Sequence, residues 1–144
     1  MSQAATKLDE VVEEFAGLEP RERLELLLDF ADNLPPLPPE YQARRDAGEN
    51  RVHECQTAVY LWVELRDGRV QLYADVAPEA PTVKGYVAIL VDAFTGATPD
   101  EVLAVKPDLL HRLGLVDALG MVRMRGLGAL LNRVREGVCD AQAT

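Results

Sequence analysis

Hydrophobic positions change their period twice along this chain. Leu8, Val11, Val12 and Phe15 recur at intervals of three and four, the spacing of one helical face. Thr6 followed by Asp9 resembles a capping box, with aspartate standing in for glutamate, and Gly17 ends the segment. Pro20 suits the first turn of a second helix, whose expected buried stripe is Leu24, Leu27, Leu28 and Ala31. The run 34-LPPLPPEY-41 carries four prolines in five residues, which predicts extended backbone. Such a run is either a ligand for another domain or a stiff connector laid over its own core, and the second is the commoner use. Residues 42–50, QARRDAGEN, read as a polar turn.

The period then falls to two. Cys55, Thr57, Val59, Leu61, Val63 and Leu65 alternate with Gln56, Ala58, Tyr60, Trp62, Glu64 and Arg66, a strand pattern rich in β-branched and aromatic residues. Asp67-Gly68 marks a tight hairpin, and Val70, Leu72 and Ala74 alternate on the return strand. Residues 50–53 are expected to add a short third strand. Helical spacing resumes after 76-VAPEAP-81 with Val83, Val87, Leu90, Val91 and Phe94, closed by Gly96. Thr98-Pro99-Asp100-Glu101 is a full capping box before a short helix that Pro107 stops. Leu109, Leu110 and Leu113 predict a further turn of helix, and Met124, Leu127, Leu131 and Val134 a long last one. Helices, then a hairpin, then helices predict an α+β fold: a small antiparallel sheet of about three strands packed against several helices. A chain of 144 residues fits one domain, 1–144, with its core over about 10–137.

Composition narrows the function. The net charge is −9. The first 50 residues carry 5 basic and 12 acidic side chains, whereas residues 105–144 carry 6 and 4. Nucleic acid binding needs many phosphates neutralised by Lys and Arg, so no nucleic acid partner is expected. No run of about 18 apolar residues is present, so no membrane span is expected. The N-terminal residues lack an apolar signal core, which predicts a cytoplasmic protein. Cys55 and Cys139 are the two cysteines, too few for a disulfide framework.

Cys55 is the candidate for chemistry, and its residues leave four readings open. Free cysteine is often buried filler, and the alternation puts Cys55 on the core face. A structural zinc site wants four ligands, and only His53, His111 and Cys139 stand beside Cys55. A catalytic Cys–His pair requires an orienting group, and Glu54 would raise the thiol's pKa rather than lower it. A carrier thiol needs one accessible cysteine that is sheltered between transfers, because oxidised sulfur states are easily lost. A core-facing cysteine beside a polar loop meets both needs.

Three stretches resemble the SufE family, whose members accept persulfide sulfur from a cysteine desulfurase during iron–sulfur cluster assembly. Residues 52-VHECQTAVYL-61 are similar to the family's V-x-G-C-Q-S-x-V-W-L, and 83-VKGYVAIL-90 to its V-K-G-L-x-A-I-L. The stretches 112-RLGLVDALG-120 and 123-RMRGLGALLNRV-134 resemble its L-G-L-x-x-H-L-S-P-S-R-x-x-G-L-x-A-M-I. The resemblance implies a SufE/IscU-like fold over most of the chain. It makes Cys55 the acceptor, with Glu54, Gln56, Thr57, Lys84, Gly85 and Arg123 as supporting or partner-facing residues. It implies a carrier rather than a free-standing enzyme, with no cofactor of its own beyond a transient persulfide on Cys55. The implied partner is a SufS-like cysteine desulfurase carrying pyridoxal phosphate, with a SufBCD-type cluster scaffold downstream. This chain departs at Glu54, where the family has glycine, at Tyr60 for tryptophan, and at Met121 and Val122 before the arginine. Its 74-ADVAPEAP-81 replaces the family's G-D-S-D, with Asp75 matching the first aspartate. Tyr60 and Trp62 are candidates for the rim of the docking surface.

Overall fold

The computed structural model describes residues 3–143, with Val122 described in its backbone alone. Two helices, α1 (Gln3–Phe15) and α2 (Pro20–Ala31), are followed by α3 (Pro39–Asp46). The hairpin β1 (Val59–Arg66) and β2 (Arg69–Val76) comes next. The chain then forms α4 (Pro81–Phe94), α5 (Pro99–Leu103), α6 (Leu109–Arg112), α7 (Val116–Leu119) and α8 (Met121–Ala143). The fold is α+β, a small antiparallel sheet packed against helices.

The hairpin forms as its turn residues dictate. Val59 pairs with Val76 and Arg66 with Arg69. Asp67 and Gly68 both take positive φ, 54° and 76°, as a two-residue turn matching the strand twist requires. The expected third strand shrinks to one bridge, Arg51 with Tyr60, flanked by the Val52 N–H bonding the Val59 carbonyl at 2.8 Å. Cys55 therefore lies in a bent loop before β1, not on the strand. On the opposite edge, Val70 exchanges backbone bonds with Gly96 and Ala97 at 2.8 and 2.7 Å, so the loop after α4 covers that edge.

Each face of the sheet has its own cover. Val59, Leu61, Val70, Leu72, Ala74 and Val76 point into the main core, where α4 is the centre. Nearly every side chain from Gly85 to Phe94 is buried, as expected of a helix packed on several sides. Gly85 lets α2 approach closely: a Cβ there would sit 2.2 Å from the Leu27 carbonyl oxygen. Gly137 does the same for α8 against β1, where a Cβ would lie 2.6 Å from Val63. The other face is covered by α3. Tyr41 meets Trp62 edge-on at 5.5 Å and stacks on Tyr73 at 4.4 Å, its hydroxyl donates to the Glu64 carboxylate, and Arg44 lies over Tyr41 and Trp62.

Several local expectations are corrected by these contacts. Pro39 does not extend the backbone; it is the first residue of α3, where a missing N–H costs nothing. Thr6 lies inside α1, which is already running from Gln3, so it is not a cap. In α2, Leu28 is exposed, while Leu27 and Ala31 are buried. The Thr98 box forms as written, with Glu101 N–H to Thr98 Oγ1 at 3.3 Å and Thr98 N–H to Glu101 at 3.1 Å. Cys139 lies exposed within α8, not beyond it.

Candidate functional site around Cys55

The loop between the bridge and β1 passes under the second turn of α8. The Cys55 N–H bonds the Val52 carbonyl at 3.3 Å, which closes a turn and points the side chain inward. Its Sγ–H donates to the Gly126 carbonyl at 3.3 Å, and the residue is 7% exposed. Gly126 tolerates this neighbour with room to spare. A Cβ there would lie 3.7 Å from the Glu54 carbonyl oxygen and 3.8 Å from Cys55 Sγ, both ordinary contacts.

Two effects hold the thiol protonated. Burial pushes the Cys55 pKa up, and the neighbouring Glu54 carboxylate pushes it in the same direction. The thiolate is the reactive form, so the retracted side chain is a poor nucleophile.

Beside Cys55 lies a cavity of about 410 Å³. Glu54, Gln56 and Thr57 line it from the loop, and Arg123, Arg125, Gly126, Leu127 and Ala129 from α8, with Val83 from α4. Glu54, Gln56 and both arginines are exposed. Among the described residues neither guanidinium has a hydrogen-bond or ion-pair partner. The mouth is thus basic on one side and acidic on the other, over an apolar floor. A larger cavity of about 810 Å³ lies between β1 and the end of α8, but no cysteine lines it.

Five of the seven residues singled out in the sequence meet here: Cys55, Glu54, Gln56, Thr57 and Arg123. Lys84 and Gly85 do not. Gly85 faces α2, while Val83 faces the cavity; two residues of helix are about 200° of rotation apart. Trp62 is 1% exposed beneath α3 and is not part of this rim, and Tyr60 stacks on it at 6.3 Å. Asp75 pairs with Arg45 at 2.9 Å on the outer face of the sheet. His53 is exposed and does not line the cavity. Among the described residues, no group of three His, Cys, Asp or Glu side chains is placed to hold a metal ion. Sequence reasoning missed Arg125. Its signal is 123-RMRG-126, a second arginine directly before the glycine that contacts Cys55.

The SufE family profile, described as an Fe-S metabolism associated domain, matches residues 9–138. The chain belongs to the SufE family. An uncharacterized SufE-like protein of Mycobacterium tuberculosis is 35% identical over 135 residues, covering 93% of this chain and 92% of that one. An uncharacterized SufE-like protein of Synechocystis is 33% identical over 120 residues, covering 83% of this chain and 72% of that one. The solution structure of a hypothetical protein from Thermus thermophilus superposes with a TM-score of 0.80 at 36% identity, covering 96% of this chain and 97% of that one. Membership of the SufE family associates the chain with iron–sulfur metabolism. Among the described residues, no helix is long and apolar enough to cross a membrane.

Proposed function

We propose that this SufE-family chain accepts sulfur from a cysteine desulfurase onto Cys55. In this reading it also stimulates the desulfurase and passes the sulfur on toward iron–sulfur cluster assembly. The observation that carries the reading is the single cysteine sheltered at the edge of an open cavity with two unpaired guanidiniums at its mouth. A carrier thiol must be hidden between transfers and reachable during them. The bent loop 53–58 makes no strand pairing at Cys55, so the turn can rearrange without opening the sheet.

In the transfer step, Cys55 leaves the Gly126 carbonyl and loses its proton at the cavity mouth. The thiolate attacks the outer sulfur of the persulfide that the desulfurase forms with its own pyridoxal phosphate. A new S–S bond forms at Cys55, the old one breaks, and its electron pair leaves with the desulfurase cysteine. Arg123, exposed at the rim, favours the thiolate and a partner carboxylate or backbone carbonyl. The setting proposed is the reducing cytoplasm, with a SufBCD-type scaffold as the onward acceptor.

The test is intact-protein mass spectrometry after incubation with a pyridoxal-phosphate cysteine desulfurase and free cysteine. Cys55→Ser and Cys139→Ser run beside the parent. Reductant-labile sulfur on Cys55 is expected in the parent and in Cys139→Ser, and none at that position in Cys55→Ser. A bare Cys55 in the parent sinks the acceptor reading. The burial of Cys55 favours one other reading, an interaction module in which the thiol only packs. That reading predicts that Cys55→Ser loses stability with no change in desulfurase turnover.

A further inference from the structure

Empty and loaded Cys55 differ in one property that this site can distinguish. The empty thiol is a hydrogen-bond donor, and it donates to the Gly126 carbonyl at 3.3 Å. A carbonyl oxygen only accepts. A persulfide is more acidic than its parent thiol, so loading converts the donor into an anion. An anion held against a carbonyl oxygen is repelled. The charged groups lining the cavity are Glu54 from the loop and Arg123 and Arg125 from α8; α4 contributes only the apolar Val83. Glu54 repels an anionic sulfur as well, which leaves the two arginines to receive it. Arg125 directly precedes the glycine whose carbonyl holds the empty thiol, and its guanidinium has no partner among the described residues.

Building on the sulfur-acceptor reading, we propose that Arg125 is the counter-ion of loaded Cys55. The sulfur then has two stations one residue apart on α8. The protonated thiol is held inside at the Gly126 carbonyl. The persulfide anion is held at the cavity mouth by Arg125, facing the acceptor that takes the sulfur. Arg125 occupies a position that the resembling motif R-x-x-G-L leaves unspecified, so the assignment comes from its place in the cavity.

The experiment loads the full chain, carrying Cys139→Ser, with inorganic polysulfide. The Cys55 thiolate attacks one sulfur, an S–S bond breaks, and the shortened sulfide leaves with the electron pair. Iodoacetamide alkylation of empty and loaded Cys55 is then followed by mass spectrometry across pH for the parent, Arg125→Gln and Arg125→Lys. Arg125 is exposed and makes no hydrogen bond or ion pair among the described residues, so both variants should fold. The midpoint of the loaded form should rise by about half to one pH unit in Arg125→Gln and return toward the parent in Arg125→Lys. The empty-thiol midpoint should move by less than half as much. An unchanged loaded midpoint in Arg125→Gln overturns the proposal, and so does an equal shift in the empty thiol. Failure of lysine to restore the midpoint also overturns it, as does a parent Cys55 that polysulfide cannot load. Loading by polysulfide but not by a desulfurase sinks the acceptor reading instead and leaves the counter-ion assignment standing.

Discussion

Two helices meet their neighbours through a glycine, and the two contacts differ by more than an ångström of free space. At Gly85, α4 lies so close to α2 that an added Cβ would stand 2.2 Å from a backbone carbonyl oxygen. At Gly126, α8 covers the Cys55 loop, and an added Cβ would meet nothing nearer than 3.7 Å. The first contact is a closed seam between two core helices. The second is a looser cover over a loop that, in the proposed transfer, releases its thiol. Both glycines belong to motifs that resemble the SufE family, yet only one of them lies against Cys55. A motif residue near the site in sequence is therefore assigned to fold or to function only by what it touches.

The comparison predicts its largest effect at the seam. Gly85→Ala should destabilise the protein by about 2–3 kcal/mol, the usual cost of overpacking, because a backbone carbonyl cannot rotate away. The gain in helix propensity, up to about 1 kcal/mol, only partly offsets it. Urea denaturation measures the loss. Cys55 alkylation under native conditions should keep the parent rate, since neither Gly85 nor Leu27 lines the cavity beside Cys55. A Gly85→Ala variant as stable as the parent would mean that α2 shifts freely, and the distinction between the two glycines would collapse.

The same substitution at the site should act in the opposite sense. Gly126→Ala keeps the carbonyl that holds the thiol and fills ordinary contact space. Stability should rise by as much as about 1 kcal/mol through helix propensity. Alkylation of Cys55 should slow by about two- to fivefold, because the added methyl faces the sulfur and narrows its exit. Denaturation and alkylation on one preparation check both. A destabilised Gly126→Ala variant would show that the cover is as tight as the seam.

What can be read from the sequence follows the same division. The helices of the seam are legible because Leu24, Leu27 and Ala31 in α2, and Val83 to Phe94 in α4, repeat at helical spacing. The Asp67-Gly68 turn and the Thr98 box are legible because each is a local contract between neighbours in sequence. Leu28 misleads because a periodic apolar residue at the margin of a stripe can face solvent. The prolines before α3 read as breakers, although Pro39 occupies the one helical turn that tolerates it. Alternation overruns the strand by two turns of pleat, from Val59 back to Cys55. Cys55 is buried as that pattern expects, but by α8 and its Gly126 carbonyl rather than by a sheet face. Trp62 reads as a rim residue because nothing local shows that α3 returns to cover it. Arg125 is easily passed over in the sequence because nothing in 123-RMRG-126 shows that this turn of α8 shares a cavity with Cys55.

The smallest expected effect separates the two regions by pH rather than by size. The folded protein holds the Cys55 pKa above that of the unfolded thiol, first by burial and then through Glu54. Its contribution to stability is therefore complete below the unfolded thiol pKa of about 8.5 and is lost as pH rises through the folded value. Tyr41, pushed up to about 12 by burial and by Glu64, loses stability in the same direction at higher pH, as does the buried Tyr86. Neither tyrosine lies at the cysteine site, so subtracting the Cys55→Ser curve from the parent isolates the thiol. Urea midpoints taken between about pH 7.5 and 10 should fall less steeply for Cys55→Ser than for the parent. Gly85→Ala should lower its curve at every pH without changing that slope, because the contact it disturbs, Gly85 against the Leu27 carbonyl, carries no charge. Parallel curves for the parent and Cys55→Ser would show that the retracted thiol is not held in its protonated form. The hydrogen bond to the Gly126 carbonyl and the burial around it would then not favour the thiol over the thiolate.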